Sequence, residues 1–381
     1  MVNEAVRRFE GAFAEHLGVA AARAFWMGRV ALYALLRALG VGPNDRVGIC
    51  SYTCLGVVEA ITRLRAAPVF LDVDRHMNVA PQALERLAVP LRALVVQPTF
   101  GVPSQLDACF RWADERGVPV IEDCCHALDT TWEGKPVGTF GVGAIFGFEW
   151  GKPFSAGQGG LVTFNDRALA REVDRLVQAE AMPPTRLEAQ ILGLQRGLYR
   201  WLVRPRTRRA LRSVYRWAGR RGWITTSETR AADLIGPVDG FFKLFSPSQA
   251  RVALRELHRW PENRARRDEA AHVIRERLSA EGIEVLAPDS RARPVYLRVP
   301  IWVRRKEQAL AEAESALLDV AGWYSSPGHP LRGTAPRDLG YDPGACATTE
   351  EAFTRVVTLP TRPALKPAEL DEAIRILQAA L

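Results

Sequence analysis

The chain has 381 residues, 48% hydrophobic and 25% charged, with 30 Gly and 25 Pro. That is a globular composition for two or three domains, which excludes collagen-like and low-complexity classes, and no run of about 18 apolar residues is present to span a bilayer. The formal charge of +8 is local, because ten arginines and no acidic residue lie between Arg196 and Arg221.

Along Met1–Glu15, Glu4, Glu10 and Glu15 interrupt the apolar residues, unlike a signal peptide, so a cytoplasmic protein is expected. Gly28–Leu39 reads as a helix. Strands are expected at Arg46–Cys50, Pro68–Val73, Ala93–Gln97, Pro119–Asp123, Ala144–Phe148 and Leu161–Phe164. Helix-period stretches at Leu55–Arg65, Gln82–Leu87 and Leu106–Arg116 separate several of them, which predicts an α/β fold with a mostly parallel central sheet covered by helices. Ligands of such sheets sit on the loops beyond the strand ends, here after Phe25, Cys50, Gln97, Asp123 and Phe148. Further helices are expected at Pro247–Arg259, Asn263–Glu281, Lys306–Leu317 and Pro367–Ala380, with strands at Pro294–Val299 and Arg355–Leu359. The expected division is a large domain over residues 1–240, carrying an Arg-rich helical insertion at about 185–230, and a smaller C-terminal α+β domain over 241–381.

Six scattered cysteines are too sparse for a disulfide scaffold. Cys50 and Cys54 lack a second ligand pair at metal spacing, so no metal is expected. Pro205 splits the arginine run, and Ala210, Leu211, Val214, Tyr215 and Ala218 share one helical face. Three readings stay open for Arg196–Arg221: a solvated helical hairpin, a wall that steers an anionic substrate, or an amphipathic surface for anionic membranes. Nucleic-acid binding is not expected, because no recognition motif accompanies the charge.

Three positions carry chemistry. Lys152 follows a strand within Phe-Glu-Trp-Gly-Lys-Pro-Phe-Ser-Ala-Gly-Gln-Gly-Gly. Lost solvation there would lower its pKa and free the amine for Schiff-base chemistry; the alternative is an exposed lysine in a glycine turn. Gly157, Gly159 and Gly160 would let the backbone approach a cofactor. Asp123 ends a strand and could face a protonated ring nitrogen or cap a helix. His126 could bond a ring oxygen or be a satisfied core histidine. Gly28-Arg29 opens a helix whose N-terminus suits a phosphate.

In order and spacing, Gly28–Leu32, Val47–Thr53, Pro68–Asp74, Val118–Ala127, Gly134–Gly141, Phe146–Gly160 and Val357–Pro360 resemble the DegT-type aminotransferases. These are pyridoxal phosphate (PLP) enzymes of fold type I that aminate sugar nucleotides and related ketones. The resemblance implies that Lys152 forms the Schiff base with PLP and shuttles the proton, Asp123 partners the pyridinium nitrogen, and His126 lies beside the phenolic oxygen. Gly28 and Arg29 match the Gly-Thr pair that cradles the phosphate. Several positions depart from the family. Gly147 stands for the phosphate-binding serine, Arg29 for the threonine, Cys54 for the aromatic that stacks on the ring, and Gln158 for a glutamate. Phe242, flanked by Lys243, stands for the asparagine that reaches a partner's phosphate. Arg29 is expected to replace the lost hydroxyls as a phosphate clamp.

The implied function is transfer of an amino group, through PLP and its pyridoxamine form, from glutamate or glutamine to a nucleotide-linked keto-sugar. A keto-cyclitol acceptor and a non-catalytic, anionic-surface-binding relative are the alternatives. Sugar dehydratases of this fold carry histidine where Lys152 stands. The resemblance also implies a homodimer whose active sites lie at the subunit interface, with Lys243 contributing to the partner's cofactor site.

Overall fold

A computed structural model describes residues 3–202, 240–330 and 335–381. Its frame is a seven-stranded sheet in the order β1-β9-β8-β5-β4-β2-β3, built from Ala21–Phe25 (β1), Arg46–Cys50 (β2), Ala67–Leu71 (β3), Ala93–Val96 (β4), Val120–Asp123 (β5), Gly143–Gly147 (β8) and Gly160–Phe164 (β9). Strands β3, β2, β4, β5 and β8 run parallel, while β9 pairs antiparallel with both β8 and β1. A small three-stranded sheet, β10-β6-β7, joins Ala292–Arg293 (β10) to Thr131–Trp132 (β6) and Lys135–Pro136 (β7).

Helices cover both faces because the strands are apolar on both sides. On one face lie Gly28–Ala38 (α2) and Leu55–Thr62 (α3), whose Val30, Leu32, Leu35, Leu36, Val58 and Ile61 pack with Val47, Ile49, Val95, Ile121 and Ile145 of the sheet. On the other face Glu4–Leu17 (α1) turns Val6, Phe9, Phe13 and Leu17 inward, at the helical repeat. Asn3 caps its start, and Gly18, left-handed at φ 72°, ends it. Helices Pro81–Glu85 (α4), Leu106–Asp114 (α5) and Arg167–Glu180 (α6) complete the layers.

After α6, Met182 pairs with Lys243: Met182 N–H donates to Phe242 O at 2.9 Å, and Leu244 N–H to Met182 O at 2.9 Å. Between these rungs the chain makes the helix Arg186–Leu202 (α7), and most of the arginine run lies outside the described residues. The helix Pro247–His258 (α8) starts with a capping box, in which Ser246 and Gln249 bond each other's backbone N–H with Pro247 at the first turn. It packs on α1, and Phe245, Ala250 and Ala253 bury in the large core, although they follow residue 240.

The smaller unit has its own core. Strands Arg298–Trp302 (β11) and Val356–Pro360 (β12) form an antiparallel pair. Trp260–Ala280 (α9), Lys306–Ser315 (α10) and Pro367–Ala380 (α12) cover them with Ile274, Leu278, Ala309, Leu370, Ile374 and Leu377, while Ala347–Arg355 (α11) leads into β12. The strand expected at Pro294–Val299 begins only at Arg298, because Val295 and Leu297 are instead tied by their N–H groups to Thr130 and Phe100 of the large unit. All six cysteines are free thiols, and among the described residues no helix is long and apolar enough to cross a membrane.

Candidate active site

The carboxyl ends of parallel strands gather loops that were remote in sequence. Strand β5 delivers Asp123, Cys125 and His126; β8 delivers Gly147, Glu149 and Lys152; β2 delivers Tyr52 and Cys54; β4 leads to Phe100. Behind the lysine loop, Phe9, Phe148, Phe154 and Phe245 form an aromatic wedge with centroids 5.0–6.4 Å apart, which holds that loop from below.

Lys152 is half-buried. Burial disfavours its ammonium, but Cys125, Glu149, Cys54 and Asp123 around it favour the charge, and the net effect raises its pKa. This corrects the expected lowering: desolvation is present, and the acidic surroundings outweigh it. Asp123 is buried and its Oδ1 accepts the Cys125 N–H at 3.0 Å. A turn follows β5, so the carboxylate shapes that turn and caps no helix.

His126 is buried, with its ring stacked on Phe100 at 6.1 Å and 11° and edge-on to Trp323 at 5.5 Å. Its Nδ1 accepts the Phe100 N–H at 3.3 Å, which assigns the remaining proton to Nε2 and makes that atom a donor. Burial, then the Lys152 charge, pushes its pKa well below the usual histidine value, so the ring is neutral.

Gly28 begins α2 with no side-chain cap from Met27 and no acidic residue in the first turn, which leaves a helix N-terminus for an anion. A Cβ on Gly28 would lie 3.5 Å from Gly147 Cα, 3.8 Å from Cys125 Sγ and 3.8 Å from Glu149 Oε1. Gly147, Cys125 and Glu149 therefore line the space before this helix. Sequence reasoning missed Cys125 and Glu149. The signal was the acidic residue directly after Phe146-Gly147-Phe148.

Arg29 corrects the expectation of a phosphate clamp. Its Nη1 donates to Glu59 Oε2 at 2.6 Å, and Arg63 holds the other oxygen of Glu59 at 2.9 Å. The guanidinium is engaged on α3. Cys54 stands just before α3 with no capping bond from its thiol, close enough to act on Lys152. Phe242 packs into its own chain's core, stacked on Phe25 at 5.7 Å, and does not extend outward. Lys243 donates to Glu188 in its own chain. The loop glycines also serve the protein itself: a Cβ on Gly160 would meet Gly28 N at 2.4 Å, and one on Gly159 the Phe245 ring at 2.5 Å.

A reactive amine, a buried carboxylate, a neutral imidazole donor and an open helix N-terminus are the groups a phosphorylated aromatic aldehyde needs. The profile of the DegT/DnrJ/EryC1/StrS aminotransferase family matches residues 1–195 and 236–378, most of the chain. The chain belongs to that family. It is a PLP-dependent aminotransferase. The DegT match breaks between residues 195 and 236, where the arginine run falls.

Among relatives, GDP-perosamine synthase of Caulobacter vibrioides is 28% identical over 386 aligned positions, covering 100% of this chain and 91% of that protein. The 3-amino-5-hydroxybenzoate synthase of Amycolatopsis mediterranei is 37% identical over 169 residues, 44% of this chain and 43% of that one. Among solved structures, S. venezuelae DesV in complex with a ketimine intermediate superposes with a TM-score of 0.76 at 22% identity, over 100% of this chain and 90% of the other. That likeness shows the shared DegT fold.

Proposed function

We propose that this aminotransferase moves an amino group from glutamate or glutamine to a ketone on a nucleotide-linked sugar. The observation that carries the reading is the convergence of Lys152, Asp123 and His126 at the ends of β5 and β8, where charge on Lys152 acts on His126 and Asp123 acts on Lys152. The full-length likeness to GDP-perosamine synthase supports a sugar acceptor. A non-sugar ring ketone is the second reading, supported by the higher identity to 3-amino-5-hydroxybenzoate synthase over part of the chain.

The residues present fit PLP. Bound PLP supplies an electron sink that lets the donor's Cα–H bond break. The Asp123 carboxylate would hold the protonated ring nitrogen, and His126 Nε2 would donate to the phenolic oxygen. The backbone at Gly28 would receive the phosphate at the start of α2. Lys152 would anchor the cofactor through Nζ, and that amine, once displaced by the donor, would be the group that takes and returns the proton of the donor's Cα. Fold type I enzymes complete each site with a neighbouring chain, and a homodimer is part of the proposal.

The test is an absorbance scan of the purified protein with PLP, followed by L-glutamate and L-glutamine. The expected result is a yellow band that either donor bleaches and Lys152→Ala lacks, with nucleotide keto-sugars restoring it as a ketone oxygen is exchanged for an amino group. No bleaching by any amino acid, or full turnover by Lys152→Ala, overturns the mechanism. Restoration only by cyclic ketones without a nucleotide selects the second reading.

A further inference from the structure

Away from the Lys152 pocket, helices α1, α7 and α8 enclose a cleft of about 530 Å3. Its charged lining is four arginines, Arg8 from α1, Arg196 from α7, and Arg251 and Arg255 from α8, beside His258 and an apolar wall at Val252. Residues 251, 255 and 258 follow a helical repeat, so α8 presents them on one face. Neither the four arginines nor His258 pairs with a carboxylate among the described residues. Elsewhere arginines do: Arg23 holds Asp174, Arg264 lies against Asp129, and Arg277 holds Asp371.

Like charges one turn apart repel, and three segments distant in sequence bring more of the same sign to the same place. Arg196 Nη1 is shut off from solvent and has no hydrogen-bond partner. Burial, then Arg255 and Arg251, depress its pKa. A buried guanidinium donor without an acceptor is an unfavourable arrangement in a folded protein unless a ligand completes it. Its stem lies over the lysine loop, 2.8 Å from where a Cβ on Gly157 would stand. The cleft is within the usual range for a ligand of small-molecule size.

We propose that this cleft is a second anion site, which takes a phosphate or diphosphate group on its arginines and shares no lining residue with the cofactor pocket. Arginine is suited to the task because its planar fork bonds two phosphate oxygens at once. The same chemistry is offered by a soluble diphosphate and by the headgroup of an anionic lipid. Arg196 also opens the ten-arginine run, so the site adjoins the segment in which the chain departs from its family.

The test uses the full chain as purified, in phosphate-free buffer. Inorganic pyrophosphate is titrated calorimetrically, and co-sedimentation compares phosphatidylglycerol-containing vesicles with pure phosphatidylcholine. Both assays are repeated with Arg251→Glu/Arg255→Glu and with Arg196→Gln. The two residues on α8 are exposed, and circular dichroism checks that the double variant keeps its helix content. The expected result is saturable, salt-weakened binding of at least one probe, with a dissociation constant at least tenfold higher in the double variant and an unchanged PLP absorbance spectrum. Pyrophosphate binding without vesicle binding identifies a soluble diphosphate as the source, and vesicle binding alone identifies a lipid headgroup. Binding of neither probe, or equal binding by wild type and double variant, overturns the proposal.

Discussion

Glu149 Oε2 stands 2.7 Å from where a Cβ on residue 147 would be, in the room that the family's serine would use. A serine there would have to push the end of the Glu149 side chain aside. The missing serine and the Glu149 carboxylate thus meet in one place. Its consequence is a negative group beside the helix N-terminus that the cofactor phosphate is proposed to use.

Cofactor affinity should respond accordingly. Glu149→Ala removes like-charge repulsion and is expected to tighten PLP binding about tenfold, roughly 1.4 kcal/mol. Gly147→Ser alone should weaken it by overpacking, and Gly147→Ser with Glu149→Ala should exceed wild type. Fluorescence titration of the apoprotein with PLP measures all three. Equal affinities would show that Glu149 swings clear without cost.

Lys152 must be neutral to attack a carbonyl, and its surroundings raise its pKa. The rate of PLP loading should therefore climb with pH through and beyond the ordinary lysine range. Glu149→Gln removes one of the charges that favour the ammonium, so its curve should lie at lower pH than the wild-type curve. Stopped-flow absorbance across a pH series reads the displacement, and superimposable curves would exclude the charge effect.

His126→Phe preserves ring stacking on Phe100 but deletes the acceptor for its N–H. Leaving that buried donor unpaired should cost about 1–3 kcal/mol in denaturant unfolding. His126→Asn, which can still accept, should recover part of the loss. Because the folded ring stays neutral while the unfolded histidine takes a proton near pH 6.5, the wild type should lose stability as pH falls below that value, a loss that His126→Phe lacks.

Glu10 is buried beneath β1, where it accepts the Ala24 N–H at 2.8 Å, and burial raises its pKa to about 7. The unfolded chain releases this proton near pH 4.5, while the folded protein keeps it to about 7. Stability therefore falls as pH rises through that window and stays lower above it. Glu10→Gln keeps an acceptor for Ala24 and should be more stable than wild type at pH 8 by about 1–3 kcal/mol, with no advantage at pH 4. Urea melts at the two pH values check the sign.

The sheet was legible because its strands are short apolar runs flanked by helical repeats. Arg46–Cys50 and Pro367–Ala380 fall where periodicity places them, and β5 and β8 lie within a residue of expectation. Helix α1 passed unnoticed because its buried Phe9 and Phe13 alternate with charged residues that first read only as evidence against a leader sequence. Spacing singled out Lys152, Asp123 and His126, and the fold brings them together. The direction of Arg29 was not legible: its partner Glu59 lies one helix away, and only the packing of α2 on α3 joins them. For the same reason the balance around Lys152 could not be read locally, since Cys54, Cys125 and Glu149 arrive on three separate loops.

The rung between Met182 and Lys243 closes a long excursion of the chain. The chain leaves the framework and re-enters it through two hydrogen bonds at one place, so the two ends of the excursion are held together whatever its length. Doubling such a loop costs only about 0.6 kcal/mol in closure entropy. Length added between the two ends is therefore cheap for the framework, and the break in the family match between residues 195 and 236 falls inside this span.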